Sequence, residues 1–264
     1  LELQSTDEPV WTYFDSHHKH ILEQMNKSFN NAKTVAETSL RRSEVAEDEL
    51  TQSLAEQLQA SIQQLEAKQP DVAVAKSAGE PTWQAILELV KGVSEAMLTS
   101  LPSFWKISRS FIDGRFKKVR LGISKTKRSS CLPTHTALCD AIPPKSYPMP
   151  TMALDIVKLY ISLVSQLFNL SDVVVMASGT ASNAAPAILP KNSHSISTAH
   201  YLLKILSEIQ DTVNEINGME ISNEVSSLLK SLLESAKWRF VDITVNAWLR
   251  GEHASHDQGK RDGS

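Results

Sequence analysis

"STAHYLLKILSEIQDTVNEINGMEISNEVSSLLKSLLESAKWRFVDITVNAWLR", from Ser197 to Arg250, decides the fold. Apolar side chains recur every three or four residues at Ala199, Leu203, Leu206, Ile209, Val213 and Ile216. A helical turn takes about 3.6 residues, so this spacing lays them along one side of a helix. Gly218 stops the pattern, as the residue type that most readily closes a helix. The pattern resumes at Val225 and continues through Leu228, Leu232, Ala236, Phe240 and Ile243. Two consecutive helices are predicted, from Ile196 to Asn217 and from Glu220 to Leu249.

The same period extends towards the N-terminus. Ile156, Tyr160, Leu163, Leu167, Leu170 and Val174 predict a helix from Pro150 to Met176. It completes a three-helix part over 151–250, interrupted by a loop at "ASGTASNAAPAILPKNSHS" (Ala177 to Ser195). Trp83, Ile86, Leu87, Val90, Val93 and Met97 predict a helix from Pro81 to Ser100. Leu101-Pro102 then opens another, giving a helical pair over 81–118, because an interior proline removes a backbone donor. Residues 119–150 turn to Ser, Thr, Lys and Pro, the composition of a disordered basic, Pro-rich loop. The tail at 251–264 has no large apolar anchor, and disorder is expected there too.

No Gly or Pro falls between Val10 and Gln69. Val10, Phe14, Ile21, Met25, Phe29, Ala32 and Val35, then Leu50, Leu54, Leu58, Ile62 and Leu65, form a helical stripe. Residues 1–68 therefore read as a long N-terminal helix or coiled-coil arm. Unbroken, ~60 residues at ~1.5 Å each would reach ~90 Å. "RRSEVAEDEL" (Arg41 to Leu50) is nearly all polar, which is either a solvated face or a break between two helices. "KQPDVAVAKSAGEP" (Lys68 to Pro81) reads as a linker. The fold class is all-α, an elongated helical bundle, and the stripe of its first helix is the expected contact surface.

The totals narrow the function. Over 264 residues, 41% are hydrophobic and 22% charged, enough to bury a core, and the net charge is -3. That charge excludes nucleic-acid binding by the chain as a whole, so any basic activity is local. Two cysteines, Cys131 and Cys139, make no disulfide framework. The most apolar run, near Ile156 to Met176, is broken by Lys158, Gln166, Asn169 and Asp172, and no membrane span is expected. The chain opens on Leu1, which suggests a fragment of a longer one.

No motif carries catalysis or a cofactor. "DSHHKH" groups Asp15, His17, His18 and His20, but neighbouring histidines point ~100° apart on a helix, so they read as a partly exposed face. "CLPTHTALC" offers Cys131, His135 and Cys139 without a fourth ligand for zinc. "ASGTAS" lacks the Gly-Lys-Ser/Thr ending of a phosphate loop. No Ser, His and Asp sit on a strand-to-helix nucleophile turn. No enzyme, metal or cofactor is expected.

"LPSFWKISRSFIDGRFKK" (Leu101 to Lys118) mixes three Phe and a Trp with five Lys or Arg. On a helix Phe104, Ile107, Ser108, Phe111 and Ile112 share a face, while Lys106, Arg109 and Arg115 lie elsewhere, with Trp105 on the border. Aromatics gathered on one face are packing residues rather than a track for bases. Beyond them Arg115, Lys117, Lys118, Arg120, Lys125, Lys127 and Arg128 follow without an intervening carboxylate. This patch is the candidate contact for anionic lipid or an acidic partner. Ser124, Ser129 and Ser130 lie in or beside it, where phosphorylation would reduce its charge.

"EPVWTYFDSHHKHI" (Glu8 to Ile21), "LPSFWKISRSFIDGRFKK", "DIVKLYISLVSQLF" (Asp155 to Phe168) and the opening stretch together resemble one family. They are similar to the central helical region of fungal exocyst complex component two, the "Sec five" subunit, from Glu8 to Arg250. The resemblance implies a non-catalytic subunit built of stacked helical bundles, in the complex that tethers secretory vesicles to the plasma membrane before fusion. It implies other exocyst subunits as partners, with small GTPases and anionic membrane lipid reached indirectly. It also implies a cytoplasmic protein, peripheral at sites of polarised secretion. Against this resemblance, no counterpart of the family's N-terminal helix or of the animal members' immunoglobulin-like GTPase-binding domain is expected within these 264 residues. After Leu249 the family's further helices give way here to polar sequence. The rival readings are another coiled-coil or helical scaffold, and a membrane-binding module acting through the basic loop.

Overall fold

The computed structural model describes residues 8–42, 56, 59–60, 62–63, 79–113, 149–170, 189–190 and 193–261, with backbone alone for 8–9 and 251–261. Five helices make up this part: α1 (Glu8–Arg42), α2 (Glu80–Ile112), α3 (Met149–Phe168), α4 (Ser195–Gly218) and α5 (Asn223–Arg261). No strand occurs among the described residues, and the all-α reading holds.

α2 is the hub, packed against α1, α3 and α4, while α5 lies on α4 and α3. α1 runs antiparallel to α2, since Trp11 meets Phe111 at one end and Ser28 faces Gly92 further along. α4 runs parallel to α2, because Trp83 meets Tyr201 and Trp105 reaches Met219. α3 and α5 run parallel, with Lys158 beside Glu224 and Phe168 against Phe240. Direction thus alternates along the chain, the up-and-down arrangement of a helical bundle.

The predicted pair at 81–118 is one helix as far as Ile112, with Pro102 inside it. The apolar stripe explains why. Met97, Leu101, Phe104, Trp105 and Ser108 continue the phase of Trp83, Ile86, Val90 and Val93, and all are buried. An interior proline costs about 3 kcal/mol, which burying Leu101 and Phe104, at ~1.5–3 kcal/mol each, offsets. Trp105, placed on the border of its face from sequence, is buried too, and its indole N–H donates to the Met219 carbonyl at 2.9 Å.

Other boundaries also moved. α3 ends at Phe168, not Met176, with Asn169 at a φ of 54° and the Leu170 N–H bonded to the Ser165 carbonyl at 3.0 Å. That six-to-one bond closed by a left-handed residue is a Schellman ending, and asparagine tolerates the conformation. The tail expected to be disordered is helical as far as Arg261. It holds no proline, and once packing has nucleated a helix, each added residue costs little. In α4, Leu203 was placed on the buried stripe but is exposed; Tyr201, Leu202 and Ile205 face the core instead. Most of the second half of the predicted N-terminal helix and nearly all of the 119–150 loop lie outside the described residues.

The core is continuous through all five helices. α3 has the length and apolarity of a membrane span, but most of that surface is buried inside the bundle. Three buried polar contacts and one part-buried one fix the register of the bundle. The Trp83 indole N–H donates to Ser193 Oγ at 2.9 Å, and Thr198 Oγ1 lies 3.1 Å from the same oxygen. Tyr160 Oη lies 3.2 Å from Ser94 Oγ. Arg239 Nε donates to the Phe168 carbonyl at 3.0 Å, satisfying an acceptor at the open end of α3.

Candidate interaction surface

The basic candidates Arg115, Lys117, Lys118, Arg120, Lys125, Lys127 and Arg128 lie outside the described residues, as do the "CLPTHTALC" and "ASGTAS" segments. The structure places only what precedes the basic run: α2 ends at Ile112, and Arg109 in its last turn faces Glu220 at 4.0 Å, both exposed.

The "DSHHKH" side chains diverge. Asp15 is bonded to Lys19 at 2.7 Å, one turn along α1. His17 lies edge-on to Phe104, while His18 turns towards α3, where burial lowers its pKa against the pull of Asp155 and Asp15. Among the described residues no three His, Cys, Asp or Glu side chains gather to hold a metal. Tyr160, the most deeply buried titratable side chain of the core, has its pKa pushed up to about 12 by desolvation. Such a phenol stays protonated and serves as a hydrogen-bonding core residue.

The stripe of α1, expected to be a contact surface, is spent inside the bundle. Phe14, Ile21, Met25, Phe29 and Ala36 are buried against α2 and α3. Trp11, Phe14, Phe104 and Phe111 form one aromatic cluster with ring centroids 5.8–6.5 Å apart. Only Tyr13 and Val35 stand out among the large apolar side chains of α1.

Among the described residues, the open apolar face is on α5. Its inner side, with Leu229, Leu232, Ala236, Phe240, Ile243 and Ala247, is buried. On its outer side Trp238 is 75% exposed, Val241 57%, Val245 46%, Trp248 54% and Leu249 40%. At ~100° per residue these five fall within a ~100° arc, opposite the inner side. They present about 500 Å² of apolar surface, comparable with the largest patch a typical monomer exposes. The helix beneath is fixed by the Phe168–Phe240 ring contact at 4.7 Å, by Arg239 on the end of α3, and by Ile221 and Val225 in the α4–α5 corner.

Sequence reasoning missed this face, although "KWRFVDITVNAWLR" (Lys237 to Arg250) contains its signal. Trp238, Val241, Val245 and Trp248 follow the 3-4-3 spacing of a second stripe, out of phase with Phe240 and Ile243. A bundle helix that needs one apolar side and carries two has a side to spare.

No curated protein and no solved structure matches the chain. The family model for exocyst complex component Sec5 does, over residues 1–256. A match across nearly the whole sequence, on an all-helical bundle, leads to one assignment: the chain belongs to the exocyst complex component Sec5 family.

Proposed function

We propose that this chain is a structural subunit of the exocyst that helps to tether secretory vesicles to the plasma membrane before fusion. In this reading it corresponds to the central helical region of a fungal member of the family. It works in the cytoplasm, peripherally, at sites of polarised secretion. Its partners are the other exocyst subunits, and through them small GTPases and anionic lipid. It acts by shape and contact and catalyses nothing.

The observation that carries this reading is the family match over residues 1–256. The bundle supports it physically. Alternating helices sharing one core resist bending, which a tether between two membranes requires. Affinity purification of the full-length chain from its own cells, with identification of what co-purifies, is the test. Recovery of the remaining exocyst subunits is expected. Recovery of a different coiled-coil assembly instead would refute it.

A second contact belongs to the same proposal. Arg115, Lys117, Lys118, Arg120, Lys125, Lys127 and Arg128 hold seven positive charges without a carboxylate between them. Each cation near an anionic membrane contributes ~1 kcal/mol, screened by salt. Binding to phosphatidylserine vesicles should fall with rising salt and with Lys117, Lys118, Lys125, Lys127 and Arg128 changed to Glu. Unchanged vesicle binding in that variant would leave the segment without a lipid role.

A further inference from the structure

We infer that the outer face of α5 is the seat of one amphipathic helix from a different subunit of the assembly, a contact that rests on the exocyst reading above. Trp238, Val241, Val245 and Trp248 occupy successive a and d positions of a heptad, and Leu249 extends the seam. Such spacing is met by a second helix whose side chains enter the gaps between them. The seam from Trp238 to Leu249 runs ~17 Å, so it accommodates about two heptads of partner.

The layers of the seam, taken with its rim, argue against a second copy of this chain. Lys237 borders one side of the seam and Asp242 the other. An antiparallel copy seated on the same seam would bring Asp242 beside its counterpart and would set Trp on Trp and Val on Val. A parallel copy would pair Lys237 with Asp242 but place Trp on Trp in the end layers and Val on Val between them. Helices pack 8–10 Å apart according to the side chains between them, and one spacing does not fill both kinds of layer. The complementary helix carries small residues opposite Trp238 and Trp248, long apolar ones opposite Val241 and Val245, and a carboxylate opposite Lys237. Lys237 and Asp242 are held meanwhile by Glu234 and Arg239 of the same helix, in ion pairs that remain largely at the surface.

The area agrees. A seam of about 500 Å² buries about 1,000 Å² over both partners, the lower limit for a specific interface. It serves as one contact within a larger assembly rather than as the sole bond of a dimer.

The test places a photo-crosslinking residue, benzoylphenylalanine, at position 238, 248 or 203 of the full-length chain in the assembled complex. Leu203, 67% exposed on α4, is the control. Irradiation should join positions 238 and 248 to one heptad-patterned helix of another subunit, and position 203 should not reach it. In parallel, Trp238→Glu with Trp248→Glu should lower retention of that subunit more than tenfold, with helical content kept and Leu203→Glu without effect. Crosslinks to a second copy, to lipid or to residues 43–78 of the same chain would overturn the inference. So would normal retention of every subunit by the double variant. If the unsubstituted chain captures no exocyst subunit, the functional reading falls and this one with it. If it captures them but crosslinks elsewhere, only this inference falls.

Discussion

Ser193→Ala should cost more than its size suggests. Ser193 Oγ receives the Trp83 indole N–H at 2.9 Å and lies 3.1 Å from Thr198 Oγ1, and all three side chains are buried. Removing the hydroxyl leaves the indole donor with no water to turn to. A buried donor left unpaired costs ~1–3 kcal/mol, and a lost neutral hydrogen bond ~0.5–1.5 kcal/mol. Thr198 has an alternative in the carbonyl of the preceding turn, so the indole dominates and the total is ~2–3 kcal/mol. At ~2–4 °C per kcal/mol for a chain of this size, the melting midpoint falls by ~4–12 °C. Trp83→Phe removes the donor as well, so the double variant should regain ~1–2 kcal/mol relative to the sum of the singles. Urea titration followed by circular dichroism measures all three at constant slope. If Ser193→Ala shifts stability by less than ~0.5 kcal/mol, or if the double variant is additive, the contact does not couple α2 to the start of α4.

His194 accepts the Ser197 N–H through Nδ1 at 3.2 Å, capping α4, and burial lowers its pKa from 6.5. The cap requires the neutral ring, so its stability is full above the unfolded pKa of 6.5 and is lost as pH falls through the lower folded value. His194→Asn keeps an N-cap acceptor and should flatten the unfolding midpoint between pH 7 and acid; an unchanged slope would move the titration elsewhere. Asn169→Gly should match or exceed the parent, while Asn169→Ala, forced to a φ of 54°, should lose ~1 kcal/mol by thermal melt. Gly92→Leu should cost ~1–3 kcal/mol, since even a Cβ there would sit 3.1 Å from Ser28 Oγ, between α1 and α2. A neutral melting point would show that the two helices separate freely.

The helices and their order were legible because burying one side of a helix leaves a period in sequence. The phase of α2 could be read from Trp83 to Met97, and Leu101, Phe104 and Ser108 extend it unchanged. Splitting it at Pro102 gave a local preference precedence over a stripe that never lost register. Leu202 and Leu203 show the limit of periodicity: adjacent leucines fit two faces ~100° apart, and only neighbouring helices choose between them. The end of α3 was hidden for another reason. Val173, Val174 and Val175 continue an apolar run, while the Schellman ending depends on Asn169, an ordinary residue until its φ is known.

The open face of α5 was hidden because a helix in a sequence is credited with one stripe. That stripe is taken as evidence of a core. α1 offered the longest stripe in the chain and therefore looked like the docking surface, yet its length is what lets it cover α2 and part of α3. α5 carries two stripes, and Phe240 and Trp238 have equal claim to the interior when taken alone. Phe240 is chosen by Phe168, which lies at the end of α3, 4.7 Å from it ring to ring. Arg239 reinforces the choice by reaching the Phe168 carbonyl from the adjoining side. With the helix held in that rotation, Trp238 and Trp248 can only point outward. The geometry of the open face is therefore set by the closed one: repacking α5 through Phe168 or Arg239 should turn the tryptophans away from a partner without altering any residue the partner touches. Phe168→Ala, at ~3–5 kcal/mol, risks the whole fold. Arg239→Met keeps much of the side-chain volume, frees the α3 carbonyl and should disturb partner retention before it disturbs the melting point. Equal loss of both would place Arg239 in the core alone.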